Sequence, residues 1–110
     1  VPPNHYRAGA DFEREVRAHL IRHGYEVIRS AGSKTKVDLL AFKTGQVLVI
    51  QCKRNGSLPP AERVEVRRIA ALIPTALPLL AARPGITFNM LTGDGPHDRT
   101  PWAPDPKETP

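Results

Sequence analysis

Residues 37–53 constrain the fold more than any other stretch. Val37-Asp38-Leu39-Leu40-Ala41-Phe42 and Val47-Leu48-Val49-Ile50-Gln51-Cys52-Lys53 are two strand-forming runs separated by Lys43-Thr44-Gly45-Gln46. The spacing predicts a hairpin closed by a two-residue Thr44-Gly45 loop. Counting outward puts Phe42 opposite Val47, Leu40 opposite Val49 and Asp38 opposite Gln51. Opposed residues share a face, so Asp38, Gln51 and, two positions on, Lys53 converge. Val37, Leu39, Ala41, Leu48, Ile50 and Cys52 make the other face. Both faces are largely apolar, so the sheet needs cover on both sides. Polar residues break the pattern only at this one end.

The remaining segments supply that cover. In residues 8–23, Gly9, Phe12, Val16 and Leu20 recur at three- and four-residue steps among charges, the stripe of an amphipathic helix, and Gly24 stops it. Residues 25–29 read as a strand entering a small basic loop at 30–36. After Lys53, a loop delivers Pro59 and Pro60 to a second helix over 61–73, with Val64, Ile69, Leu72 and Ile73 set among charges and Pro74 at its end. Residues 77–82 form a continuous apolar run, 83–85 a turn and 86–91 a last strand. The expected fold is α/β: a small mixed five-stranded sheet flanked by helices, in the order α-β-β-β-α-β-β. Residues 1–91 would make one domain. Residues 92–110 turn to Gly, Pro and charge and read as an extended or disordered tail, with Trp102 its one docking residue.

A chain of 110 residues with 40% apolar content can bury a single core. Its apolar runs are too short and too broken by proline for a membrane helix, and residue 1 onward lacks a signal-peptide pattern. Cys52 is the lone cysteine, which suits a reducing, cytoplasmic setting. The formal charge is +5, and it is unevenly placed. Residues 1–91 hold fourteen basic and seven acidic side chains, and residues 92–110 hold two and four. A cationic folded part fits a polyanionic partner such as nucleic acid, although a merely soluble basic domain would look the same.

The polar end of the hairpin has a chemistry of its own. Cleaving a phosphodiester calls for a hard divalent cation with oxygen ligands, both to offset charge on the phosphorus and to acidify a water. Asp38 offers a carboxylate, Gln51 an amide oxygen and Cys52 its main-chain carbonyl, while Lys53 could hold the attacking water or neutralise phosphate. One carboxylate is few for such a cation. Glu13, at the edge of the first helix's apolar stripe, is the best second donor, against the plainer reading of a surface glutamate paired with Arg17 one turn on. His19 and His23 lie at i, i+4 but lack a third ligand, and read as solvated or capping. Arg63, Arg67 and Arg68 read as a cationic helix face that touches DNA or solvent.

Four blocks in order carry a resemblance: Tyr6-Arg7-Ala8-Gly9-Ala10-Asp11-Phe12-Glu13-Arg14-Glu15, Gly24-Tyr25-Glu26-Val27-Ile28-Arg29-Ser30-Ala31-Gly32-Ser33, Val37-Asp38-Leu39-Leu40-Ala41, and residues 47–53 ending in Gln51-Cys52-Lys53. Together they resemble an archaeal-type Holliday junction resolvase, a branch of the P-D…D/E-x-K nuclease superfamily with a restriction-endonuclease-like core. The resemblance implies that Glu13 is a helix-borne acid of the active site, Asp38 and Gln51 metal ligands, Lys53 the catalytic lysine and Ser30 a serine beside them. Arg7 matches a phosphate-contacting residue, and Arg29, Ser33, Lys34, Lys36 and Arg54 join it as expected DNA contacts. It further implies Mg2+, with Mn2+ as a substitute, and a homodimer that nicks two opposed strands of a four-way junction. Two departures stand out. Gln51 occupies a position that usually holds Glu, and Val37 one that often holds Pro. A restriction-type endonuclease subunit, or a junction-binding module weakened by Gln51, are the competing readings.

Overall fold

The computed structural model describes residues 5–30 and 37–105. Its elements are α1 (His5–Arg22), β1 (Glu26–Arg29), β2 (Leu39–Lys43), β3 (Gln46–Cys52), α2 (Pro60–Ala71), β4 (Ala76–Ala82), β5 (Thr87–Leu91) and β6 (Arg99–Trp102). They form one mixed sheet in the order β1-β2-β3-β4-β5-β6. Each strand therefore lies beside its neighbour in sequence. The pair β3 and β4 is parallel, and α2 makes the crossover that a parallel connection requires. All other pairs are antiparallel.

The hairpin has the register its loop dictates. Lys43 pairs with Gln46, Phe42 with Val47 and Leu40 with Val49, and Gly45 takes φ 77° in the loop, where a side chain would be strained. The sheet is covered on both faces. Against α1, Phe12, Val16 and Leu20 pack on Leu39, Ala41, Leu48, Ile50, Leu79 and Ala81. Against α2, Val66 and Ala70 pack on Val49, Leu80 and Leu91, with Leu58 closing the end. This double burial is why β3 and β4 are near-continuous apolar runs and do not alternate.

The structure departs from the sequence reading in three places. The sheet has six strands and not five, because residues 99–102, within the stretch read as a tail, pair with β5 and set Phe88 against Trp102. The two rings meet edge to face at 5.5 Å. Pro101 sits in an edge strand, which tolerates its missing N–H. Val37 packs with the α2-side core and not on the face of Leu39, because the chain bends at residue 38 before β2 begins. In α2 the buried stripe is Arg63, Val66 and Ala70, while Val64 and Leu72 are exposed. Arg63 belongs in that stripe because its guanidinium donates to the carbonyls of Leu58 at 2.9 Å and Asp94 at 3.0 Å. It is a structural residue, not a DNA-facing one.

Trp102→Ala removes both the ring contact and most of the apolar area that β6 buries. We expect a loss of about 1–3 kcal/mol in urea unfolding. An unchanged midpoint would show that β6 adds nothing to the core.

Candidate active site

The polar residues gather where β3 ends. Residue 38 leaves the pleat: Ser30 N donates to Asp38 O at 3.0 Å and keeps the β1–β2 register, but Asp38 N donates to Ile50 O at 3.0 Å, so residues 38 and 39 both face Ile50 as in a bulge and Asp38 is not paired straight across from Gln51 as the loop count expected. The carboxylate is thereby turned onto the neighbouring strand, where Oδ2 accepts the Cys52 N–H at 2.8 Å. One residue further, Lys53 N donates to Ala81 O at 2.9 Å and extends the β3–β4 pairing past the strand's end. The site is therefore built on sheet backbone, which holds side chains more firmly than a loop does.

Two helices add an acid each. Glu13 of α1 is partly buried and accepts from Arg29 Nε of β1 at 3.0 Å, so its partner is Arg29 and not Arg17. Glu62, in the first turn of α2, takes the Lys53 ammonium at 2.9 Å and the Gln51 Nε2 at 3.2 Å, both on Oε1. The Glu62 carboxylate fixes the orientation of the Gln51 amide, since only the NH2 end can face it. Gln51 is 8% exposed, and its Oε1 is buried with no hydrogen-bond partner among the described residues. An unpaired buried oxygen is costly, which makes it a ready acceptor for a water or a cation.

The electrostatics point the same way. Burial raises the Asp38 pKa above the ordinary carboxylate value, and the Glu62 charge adds to it; the Cys52 N–H, Lys53 and Arg29 pull the other way without cancelling it. Glu13 is raised by burial and then by the Asp38 charge, with Arg29 in partial opposition. Two carboxylates that repel each other and a lysine thus share one field. Burial also raises the Cys52 thiol well above its usual value, so it stays protonated and packs on the α1-side core as the sequence suggested.

The structure brings together Glu13, Asp38, Gln51 and Lys53, each by contact or by charge. Ser30 lines a small apolar recess of about 250 Å3 with Val37, Asp38 and Leu39. Arg54 is exposed and opens on a cleft of about 580 Å3 shared with Lys53, Asn55 and Arg83. The Arg7 side chain and Ser33, Lys34 and Lys36 lie outside the described residues. His23 Nδ1 meets the His19 carbonyl at 2.8 Å and the two rings lie 4.5 Å apart at a tilt of 38°, a local arrangement within α1 and its end. Glu62 is the residue that sequence reasoning missed. Its signal was the crossover itself, because a helix that follows a parallel strand starts beside that strand's C-terminal end.

A two-sided mixed sheet with Asp38, Gln51-x-Lys53 and a helix-borne Glu13 at one end defines the class of P-D…D/E-x-K nuclease folds. Within that class the chain belongs to the family described as archaeal Holliday junction resolvase (Hjc), whose family model matches residues 4–83. It is similar to the crossover junction endodeoxyribonuclease Hjc of Methanocaldococcus jannaschii, 54% identical over 50 residues that cover 46% of this chain and 37% of that protein. A UPF0102 protein of Parabacteroides distasonis is 27% identical over 73 residues, covering 62% of this chain and 60% of the relative. Both matches thus span less than two thirds of the relative's length. Among solved structures, the Holliday junction resolvase Hjc of Archaeoglobus fulgidus superposes with a TM-score of 0.55 at 24% identity, covering 76% of this chain and 70% of that one. That likeness establishes the fold.

Membership of a resolvase nuclease family implies a divalent metal, and the residues present fit one. Asp38 and Glu13 are carboxylates held at a cost, and Gln51 Oε1 is a buried acceptor in want of a partner. No group of three His, Cys, Asp or Glu side chains among the described residues forms a metal cluster by itself. No helix there is long and apolar enough to cross a membrane.

Raised carboxylate pKa values have a definite sign in stability. Such a group favours the fold below its unfolded pKa, and that contribution is lost as pH rises through its higher folded pKa. At pH 7 with a chelator, Asp38→Asn should therefore melt a few degrees above wild type, and the gap should close as pH falls into the carboxylate range. A lower melting temperature at pH 7 would show that Asp38 is held without cost.

Proposed function

We propose that this chain is a metal-dependent endonuclease that resolves four-way DNA junctions by nicking opposed strands as a homodimer, with Mg2+ as its ion and Mn2+ able to substitute. The family match over residues 4–83 supports the reading, as does the printed activity of the Methanocaldococcus relative. The observation that carries it is the cluster of costly carboxylates around an unpartnered Gln51 oxygen, with Lys53 beside them.

Asp38, Gln51 Oε1 and the Cys52 carbonyl would hold the cation, with Glu13 as a further acid. When bound, the ion supplies an acidified water and offsets the charge that develops on phosphorus. Asp38 is oriented for this by the Cys52 N–H, which occupies Oδ2. Lys53, ion-paired with Glu62, is placed to orient the attacking water and to offset phosphate charge. Arg29 steadies Glu13 through Nε, which leaves its terminal nitrogens for a phosphate. Ser30 borders Asp38, and Arg54 lines the cleft along which a strand would run. Arg7, Ser33, Lys34 and Lys36 complete the proposed DNA contacts. The dimer follows from the reaction, since one such site cuts one strand.

The test is nicking of a synthetic four-way junction in Mg2+. Wild type should cut it in preference to linear duplex, and Asp38→Ala and Lys53→Ala should lower the rate by about 100-fold or more while junction binding persists. Absence of cutting by wild type in both Mg2+ and Mn2+ would sink the proposal. Gln51 favours a second reading, a binding module with weakened catalysis. A large gain on Gln51→Glu from an inactive start would support that reading, and robust wild-type turnover excludes it.

A further inference from the structure

We propose that Glu62 supplies the carboxylate that Gln51 lacks, so that the acid of the Gln51-x-Lys53 pair has moved from the strand to the first turn of α2. The inference deepens the nuclease reading and rests on it.

Two observations converge on Glu62. Its Oε1 lies 3.2 Å from Gln51 Nε2 and 2.9 Å from Lys53 Nζ, so the two residues of the pair meet on one oxygen. Both donors meet that oxygen, and no described residue donates to Oε2. Second, Gln51 is 8% exposed, and with its NH2 committed to Glu62 its Oε1 has no partner among the described residues. An unpaired buried amide oxygen next to a carboxylate is a ligand atom available to a hard cation.

The chemistry accounts for the pairing. A glutamate at position 51 would place two carboxylates at hydrogen-bond distance, where they could not both ionise at low cost. With glutamine, the amide does two jobs: its NH2 draws Glu62 in, and its oxygen remains a neutral donor. Asp38 and Glu62 then give the cation two negative charges, the number a strand-borne glutamate with Asp38 would give. Helix placement keeps this rigid. Arg63, the next residue, is anchored inside by the Leu58 and Asp94 carbonyls, which tie the first turn of α2 to the loops before and after it.

The obvious alternative is that Glu62 merely holds Lys53 in place. Binding of Mn2+ to the full chain without DNA, followed by calorimetry or by loss of the free-ion electron paramagnetic resonance signal, separates the two. Glu62→Gln keeps an oxygen for Lys53 but removes the charge, and it should weaken Mn2+ by about tenfold or more. The exchanged pair Gln51→Glu with Glu62→Gln should restore most of the affinity, and Glu62→Asp should lie between. Melting in chelator checks that each variant folds. Unchanged Mn2+ affinity in Glu62→Gln, or no recovery in the exchanged pair, overturns the inference even if wild type nicks junctions. Metal binding that depends on Glu62 in a protein that does not nick junctions upholds it and sinks the nuclease reading instead. A wild type that binds no Mn2+ at millimolar concentration overturns both.

Discussion

One hydrogen bond organises the working end of this sheet: the Cys52 N–H to the Asp38 carboxylate, 2.8 Å. A backbone donor bonded to a charged acceptor is stronger than a neutral pair, and here it takes Asp38 out of the pleat. The bend sends Val37 to the α2-side core, leaves the Asp38 carbonyl for Ser30 N–H and fixes β2 against the last residue of β3. Gln51 and Lys53 flank that residue. Their directions, and their meeting with Glu62, follow from where the strand is tied.

Much of this was legible in the sequence because the hairpin is local. A two-residue loop and a period of two fix the register as far as Leu39 and Ile50 and bring Asp38 to the Gln51 end, while the one-residue slip there, which sets Asp38 N on Ile50 O, was not legible. The α1 stripe was legible for the same kind of reason, through its 3.6-residue period. What escaped depends on chain segments far apart. Glu62 reads as an ordinary first-turn acid until the crossover brings α2 back to the end of β3. Arg63 reads as surface charge until the carbonyls of Leu58 and Asp94, one of them 31 residues away, close around it. Arg99-Thr100-Pro101-Trp102 carries no strand pattern, and only its place at the edge beside β5 makes it one.

The site is also a local weakness in an otherwise apolar body. Large aliphatic side chains fill both sides of β3 and β4, while the same sheet ends in carboxylates whose ionisation the fold resists. Strain of this sort is tolerable in a body with two apolar cores, and a cation at the proposed site would relieve it. The protein therefore holds in its folded state part of the attraction that a bound ion would satisfy.

The fate of the basic side chains has a consequence for binding a polyanion. Arg14, Arg29, Lys53, Arg67, Arg68 and Arg83 are each ion-paired, and Arg63 is inside. A basic side chain already paired with a carboxylate would expel fewer counterions from a phosphate chain than an open one. Arg63 aside, the basic side chains outside any ion pair among the described residues are Arg17, Arg22, Lys43, Arg54 and Arg99, fewer than half of those described. Contact with such a chain would then depend on shape as much as on charge, with Arg54 the open guanidinium of the cleft, where a uniformly charged surface would grip any polyanion alike.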